Sequence, residues 1–256
     1  MNKPAKAPSK SNEDAFMDTL VGENYLNYLQ KIHEKMNPRS YFEIGTRSGD
    51  SLALAKCASI AVDPEFAISS DVIGTKPFCM FFQQTSDDFF LHHDPFRLLG
   101  GSIDFAFLDG LHLFEVLLRD FINTEKYCRS DSVIAMHDCV PTDIYVAERK
   151  DDPERRKEMG SEPTWWTGDV WKLIPILRRW RPDISLITLD CWPSGLLLAT
   201  NLDSGSTSLA NYYNDIMAEF IDITLAQYGI RRLFDELDIR SAAETSLPVI
   251  WNTKTK

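Results

Sequence analysis

From residue 40 onward, short apolar runs alternate with amphipathic stretches. "SYFEIG" (40–45), "SIAVDP" (59–64), "FCMFFQQ" (78–84), "IDFAFLDG" (103–110) and "SVIAMHD" (132–138) are each too short for a buried helix and read as strands. Between them, "DSLALAKCA" (50–58), "SDDFFLHH" (86–93) and residues 112–127, with Phe114, Leu117, Leu118 and Phe121 on one face, read as helices. Continuously apolar strands separated by helices predict a parallel sheet covered on both faces. Upstream, Phe16, Leu20, Tyr25, Leu29 and Ile32 fall near helical spacing, so one or two leading helices are expected over 14–39.

The pattern changes after the fifth strand. Residues 141–170 are polar, with "ERKDDPERRKEMGSEP" running into "TWWTGD". A long polar insertion at a strand's carboxyl end that carries two adjacent tryptophans is either a lid or a solvated loop. "DVWKLIPILRRW" (169–180) then predicts a helix. "ISLITLDCWPSGLLLATNL" (184–202) predicts two strands about the turn "WPSG", an antiparallel hairpin that closes the sheet. Residues 208–240 are amphipathic and helical. The chain thus reads as a disordered tail, 1–13, and one domain, 14–256, with its binding core over 40–140 and sheet completion and C-terminal helices over 171–256.

Composition narrows the function. The formal charge of −11 argues against a nucleic-acid backbone as partner. The one basic cluster, "LRRWRP" (177–182), suits a helix C-terminus. Five scattered cysteines without a CxxC pair suit reduced thiols packed in a core. No apolar run is long enough to cross a bilayer, and the first residues lack a signal core, so a cytoplasmic protein without a membrane partner is expected. Oligomeric state is left open, a homo-oligomer being compatible with everything above.

The chemistry gathers at strand ends. In "YFEIGTRSGDSL" (41–52) the first strand passes Glu43, turns at Gly45 and enters a helix after Gly49. Gly45 permits a tight turn, and the helix start offers free N–H groups. Arg47 breaks the GxGxxG pattern, which disfavours a dinucleotide. An acid beside the glycine suits a ligand that has both an ammonium and a carboxylate, although Glu43 pairing with Arg47 accounts for it equally simply. Asp63 ends the second strand, where an acid can accept from both ribose hydroxyls, or can serve only as the turn residue before Pro64. An amino-acid end plus a ribose describes S-adenosylmethionine (SAM).

In this order, "FEIGTRSGDSL", "IAVDPE", "FFQQTSDDFF", "IDFAFLDGLH" and "VIAMHDC" resemble a class I SAM-dependent methyltransferase over roughly residues 15–202. "DGLH" with the later "HD" is similar to the branch that includes metal-assisted sugar O-methyltransferases. The resemblance implies a Rossmann-like doubly wound α/β sheet, mostly parallel with a C-terminal antiparallel hairpin. It implies that Glu43, Gly45, Thr46, Arg47, Ser48 and Gly49 hold the methionine part, Asp63 the ribose and Thr85, Ser86 and Asp87 the adenine, with Asp109 also close to the cofactor. One position departs from the branch: the residue before the second metal-binding aspartate is often acidic there, and here it is His137.

In that fold the strands ending in Asp109 and Asp138 are neighbours about 4.8 Å apart. Two carboxylates so placed repel unless a cation or proton lies between them, and hard oxygens suit Mg²⁺ or Mn²⁺. Asp109 as the N-cap of the next helix, and Asp138 as a loop opener, are the plain alternatives. His112, placed in that helix's first turn, is expected to stay neutral against the dipole and to act as a general base, or else to cap its helix. His33, His92 and His93 read as surface residues. The sequence therefore predicts a SAM-dependent O-methyltransferase acting on a small-molecule hydroxyl, such as that of a sugar or glycoside. A catalytically silent SAM-binding or scaffold protein is its rival.

Overall fold

Every apolar run of the first half forms a strand. The computed structural model describes residues 20–245. The expected tail 1–13, Phe16 and the start of the leading helix, and the polar end past 245, lie outside the described residues. In chain order the elements are α1 (Tyr25–Met36), β1 (Ser40–Ile44), α2 (Asp50–Leu54), β2 (Ala58–Val62), β3 (Cys79–Phe82), α3 (Ser86–His92), α4 (Pro95–Leu99), β4 (Ile103–Leu108), α5 (Phe114–Glu125) and β5 (Cys128–His137). They continue with α6 (Pro153–Glu158), α7 (Leu173–Trp180), β6 (Ser185–Leu189), β7 (Leu196–Thr200), α8 (Ser208–Asn211), α9 (Tyr213–Phe220), α10 (Leu225–Tyr228), α11 (Ile230–Leu237) and β8 (Ile239–Arg240).

The sheet order is β3-β2-β1-β4-β5-β7-β6-β8. β1 to β5 are parallel, and β7 runs antiparallel between β5 and β6. β1, β2, β4 and β7 are buried along their whole length, as a sheet covered on both faces requires. Alternation sends Phe42, Ala106 and Leu108 to one layer, with Phe121 of α5 and Ile174 of α7. Tyr41, Phe105 and Phe107 face the other, with Leu29 and Ile32 of α1 and Leu52 of α2. Register then sets the chemistry. Ile44 pairs with Leu108 and Leu108 with Met136, so the next residues, Gly45, Asp109 and His137, lie in a row at the carboxyl edge.

Several elements differ from the sequence reading. Leu20 to Asn24 are not helical: Gly22 N–H donates to the Asp190 carbonyl, and the Asn24 side chain caps α1 at Leu26 N. α2 stops at Leu54, which frees the chain to enter β2. α4, opened by Asp94 with Pro95 at its first turn, and the two-residue β8 beside β6 were not legible in the pattern. The stretch 208–240 divides into four short helices, interrupted by the Thr224–Gln227 capping box and Gly229. The basic cluster lies at the end of α7, as expected, and is also paired, Arg179 with Glu219 and Arg181 with Glu125 and Asp183. The five cysteines are free, and four are buried. No helix among the described residues is long and apolar enough to cross a membrane.

His33 corrects the surface assignment. It lies on the apolar face of α1, edge-on to Tyr41 and Phe105 at 4.9 and 5.0 Å, with neither ring nitrogen hydrogen-bonded. Burial, with Lys76 and Lys56 nearby, pushes its pKa down to about 3. An unfolded chain binds this proton near pH 6.5 and the folded one does not. Stability is therefore complete above pH 6.5 and falls as the pH drops from there toward 3, by up to about 1.4 kcal/mol per pH unit. Urea unfolding of His33→Phe should show a flatter acid slope than the unmodified protein; identical slopes would mean that the ring titrates normally.

Candidate active site

The glycine turn forms as the sequence predicts, with a different steric reason. Gly45 has φ +84°, and a Cβ there would stand 2.0 Å from the Asp109 carbonyl oxygen. Close approach of β1's end to β4's end, rather than to a ligand, is what excludes a side chain. Arg47 also adopts a positive φ, +40°, and its N–H donates to Asp63 Oδ2 at 2.7 Å. Asp63 Oδ1 accepts from Glu65 N–H at 2.7 Å, so this carboxylate braces the turn as well as ending β2. Ser48 bonds Asp50 at the start of α2.

Glu43 is fully buried at the end of β1 and does not pair with Arg47. Its Oε2 accepts from the Tyr41 hydroxyl, whereas Oε1 has no hydrogen-bond partner, nor does the neighbouring buried Thr46 hydroxyl. Burial pushes the carboxyl up to about 7, against the pull of nearby hydroxyls. Thr85 caps α3 by accepting from Asp88 N–H, and Asp87 is held by Arg119 at 2.7 Å. This turn follows β3, two strands from β1, and no direct contact joins it to Glu43. Asp120, unremarked in the sequence, is buried on α5 near Ser86 and Gly110, and burial raises its carboxyl to about 7.

The ends of β4 and β5 bring four groups together. His112 Nε2 stands 3.1 Å from Asp138 Oδ2 and 3.7 Å from Asp109 Oδ1. His137 Nδ1 stands 3.4 Å from Asp109 Oδ1 and 3.5 Å from Asp138 Oδ2. Ligand atoms of Asp109, His137 and Asp138 all lie within 4.8 Å of one another. Asp138 holds φ +59°, a strained conformation for a side-chain-bearing residue, and its Oδ1 accepts from the Ser194 hydroxyl. Asp109 Oδ1 is buried without a hydrogen bond. Both carboxyls are held below the usual range: burial opposes this, but the two imidazoles outweigh it.

His112 departs from its expected setting. α5 begins at Phe114, so His112 precedes the helix and lies outside its first turn. Its Nδ1 is 2.5 Å from the Trp166 carbonyl, which fixes that nitrogen as the donor and turns Nε2 toward the carboxylates. Burial disfavours the imidazolium, yet Asp138 and Asp109 raise its pKa to about 9, so in this arrangement the ring is protonated and not neutral as the dipole argument predicts. Nor is Asp109 the cap of α5. That duty falls to Asp169, whose Oδ1 accepts from Phe114 N–H at 2.9 Å across 55 residues of sequence.

Residues 141–170 pack against this edge. Thr167 and Gly168 N–H groups donate to the Val146 carbonyl, Trp166 Nε1 to the Glu148 carbonyl, and the buried Arg156 to the Pro163 carbonyl. A Cβ at Gly168 would stand 1.9 Å from the His112 carbonyl oxygen. The segment encloses a cavity of about 200 Å³ lined by both tryptophans, His112, Asp138, Thr142 and Ser194.

The parallel strands in the order 3-2-1-4-5, followed by antiparallel β7 between β5 and β6, are the doubly wound sheet with an antiparallel hairpin that the sequence resemblance implies. Residues 42–139, from β1 to the end of β5, match a family model described as a methyltransferase domain. Among solved structures, the chain is similar to the O-methyltransferase TomG of Streptomyces achromogenes in complex with SAM: 14% identity, 70% of this chain, 80% of that one, TM-score 0.47. An O-methyltransferase from Bacillus cereus in complex with S-adenosylhomocysteine (SAH) is 14% identical over 74% and 84% of the two chains, TM-score 0.46. The SAH-bound methyltransferase PaMTH1 of Podospora anserina is 12% identical over 75% and 91%, TM-score 0.47. No curated protein matches the chain in sequence.

Proposed function

We propose that the protein is a SAM-dependent methyltransferase that moves the methyl group of SAM to a hydroxyl of a small molecule seated beneath Trp165 and Trp166. The observation that carries the reading is His112. Its ring is oriented from behind by the Trp166 carbonyl, and Nε2 faces both the cavity and the carboxylates at the end of the methyl-donor edge. A positioned imidazole there takes the acceptor's proton as the methyl leaves the sulfonium in line with the attacking oxygen. Tryptophan faces together with threonine and serine hydroxyls suit a sugar or glycoside, which has apolar ring faces and a hydroxyl edge.

Asp109 and Asp138 fit a divalent ion: both are buried anions, and Asp109 Oδ1 lacks a hydrogen bond. Such an ion, when bound, supplies charge that orients and acidifies the acceptor hydroxyl. With the carboxylates engaged by such an ion, His112 would release its Nε2 proton to solvent, and that nitrogen would present a lone pair to the pocket. The rival reading, a silent SAM-binding protein, draws support from the same four groups, since two aspartates and two protonated histidines also satisfy one another. Turnover with a panel of hydroxylated acceptors separates the two.

Glu43 and Asp63 are proposed to hold opposite ends of SAM, the unpartnered Glu43 Oε1 facing the amino-acid end and Asp63 the ribose. Glu43→Gln and Asp63→Asn should each weaken SAM binding by about 1.5–3 kcal/mol in titration calorimetry, with NAD giving no heat. Asp63→Asn should also loosen the turn at Arg47. Unchanged affinity in both variants would remove these assignments.

A further inference from the structure

His137 is set up differently from a histidine that merely fills space. Its ring is stacked under Tyr25, with centroids 3.9 Å apart, and is almost wholly buried. Nε2 lies 3.2 Å from Ser194 Oγ, and the same hydroxyl contacts Asp138 Oδ1. Ser194 has one proton to give, and an ionised carboxylate can only accept. The hydroxyl therefore donates to Asp138, which makes His137 Nε2–H the donor to Ser194. That leaves Nδ1, the nitrogen aimed at Asp109 and Asp138, as the one able to present a lone pair. An imidazole with one nitrogen held by a hydrogen bond and the other pointed at two carboxylates has the outer-sphere support of a metal ligand.

We propose that His137 Nδ1 is the third protein ligand of a divalent ion held by Asp109 and Asp138, and that this nitrogen makes the site prefer Mn²⁺, Fe²⁺ or Co²⁺ over Mg²⁺. The inference rests on the reading above that the two carboxylates take an ion. Donors at adjacent positions on an ion with bonds of about 2.1 Å are roughly 3.0 Å apart. The histidine's separations of 3.4 and 3.5 Å need only a few tenths of an ångström of closure, and the two carboxylates, whose ligand atoms lie within 4.8 Å, close the rest by side-chain rotation. Mg²⁺ favours an all-oxygen shell and keeps its waters, whereas imidazole suits the later divalent ions, whose affinity for nitrogen rises along the first transition row. The three ligands come from two adjacent strand ends, and their support comes from α1 through Tyr25 and from the β6–β7 turn through Ser194.

The test uses the full chain, stripped with chelator and titrated with MnCl₂ or MgCl₂ alone. Calorimetry should find one Mn²⁺ site, on the order of 100-fold tighter than for Mg²⁺. Pulsed electron paramagnetic resonance of the Mn²⁺-loaded protein should show the coupling of a directly bound imidazole nitrogen. That coupling should persist in His112→Ala and vanish in His137→Ala or, if that variant does not fold, in His137→Gln. Ser194→Ala should weaken Mn²⁺ by roughly 10–100-fold while keeping the coupling. Mn²⁺ bound without nitrogen coupling, or coupling lost with His112 instead, would overturn the assignment of His137 and leave the carboxylate site standing. Failure to bind either ion at millimolar concentration would overturn both, and would leave His137 as a counter-ion to Asp109.

Discussion

Asp169→Ala should lower the free energy of unfolding by about 3–5 kcal/mol, the scale for removing one partner of a buried ion pair. Asp169 Oδ2 receives Lys172 Nζ at 2.7 Å and Arg149 Nη1 at 2.6 Å, and the Lys172 side chain is 0% exposed. Without the aspartate, that ammonium is left in the core with the Ile221 carbonyl at 3.4 Å and the Phe114 and Trp171 rings beside it. The first amide of α5 loses its cap at the same time. Arg149 suffers less, because Glu115 also holds it. Asp169→Asn should cost less than the alanine variant, since an amide oxygen can still accept from Phe114. Urea denaturation at neutral pH measures both. A loss below about 1 kcal/mol for alanine would show that Lys172 reaches water by repacking.

His112→Ala should leave SAM affinity unchanged and reduce kcat by roughly 10²–10⁴-fold, the contribution of a positioned base. Among the described residues the cavity lining holds no second imidazole or lysine, and Asp138, its carboxylate, is engaged by Ser194 and His112. Two comparisons keep the result interpretable. Asp138→Asn should be partly restored by added Mn²⁺, whereas His112→Ala should not be. The protein without substitutions should lose activity in chelator. Full turnover by His112→Ala would reduce this residue to a support for the Trp166 segment.

The strands, the glycine turn and the acids at the strand ends were legible because they depend on short-range pattern. Apolar runs of five or six residues specify buried strands, and Gly45, Asp63 and Asp109 follow them directly. Three features of the candidate site were not legible, for one reason: each depends on partners distant in sequence. The cap of α5 comes from Asp169, so no local signal places the helix start at Phe114. The charge on His112 is set by Asp138, 26 residues on, which overrides any effect of the helix end. His137 stands out in sequence only as a departure from an acidic position; Tyr25 and Ser194, which orient it, come from a leading helix and a turn. His33 was misplaced because a histidine among apolar residues at helical spacing can face either way until the sheet is in place.

The Trp166 carbonyl that orients His112 belongs to the same segment that walls the cavity. If the cavity takes the acceptor and His112 is the base, recognition and rate are written into one stretch of chain. A change in residues 164–168 that admits a bulkier acceptor would then also move the atom that aims the imidazole. Swapping this segment for another to alter acceptor choice should then give enzymes that bind a new molecule yet turn it over slowly, until compensating changes around Gly168 and Asp169 return the imidazole to its place. On that reading, a change of acceptor requires paired substitutions, one in the wall and one in its anchor.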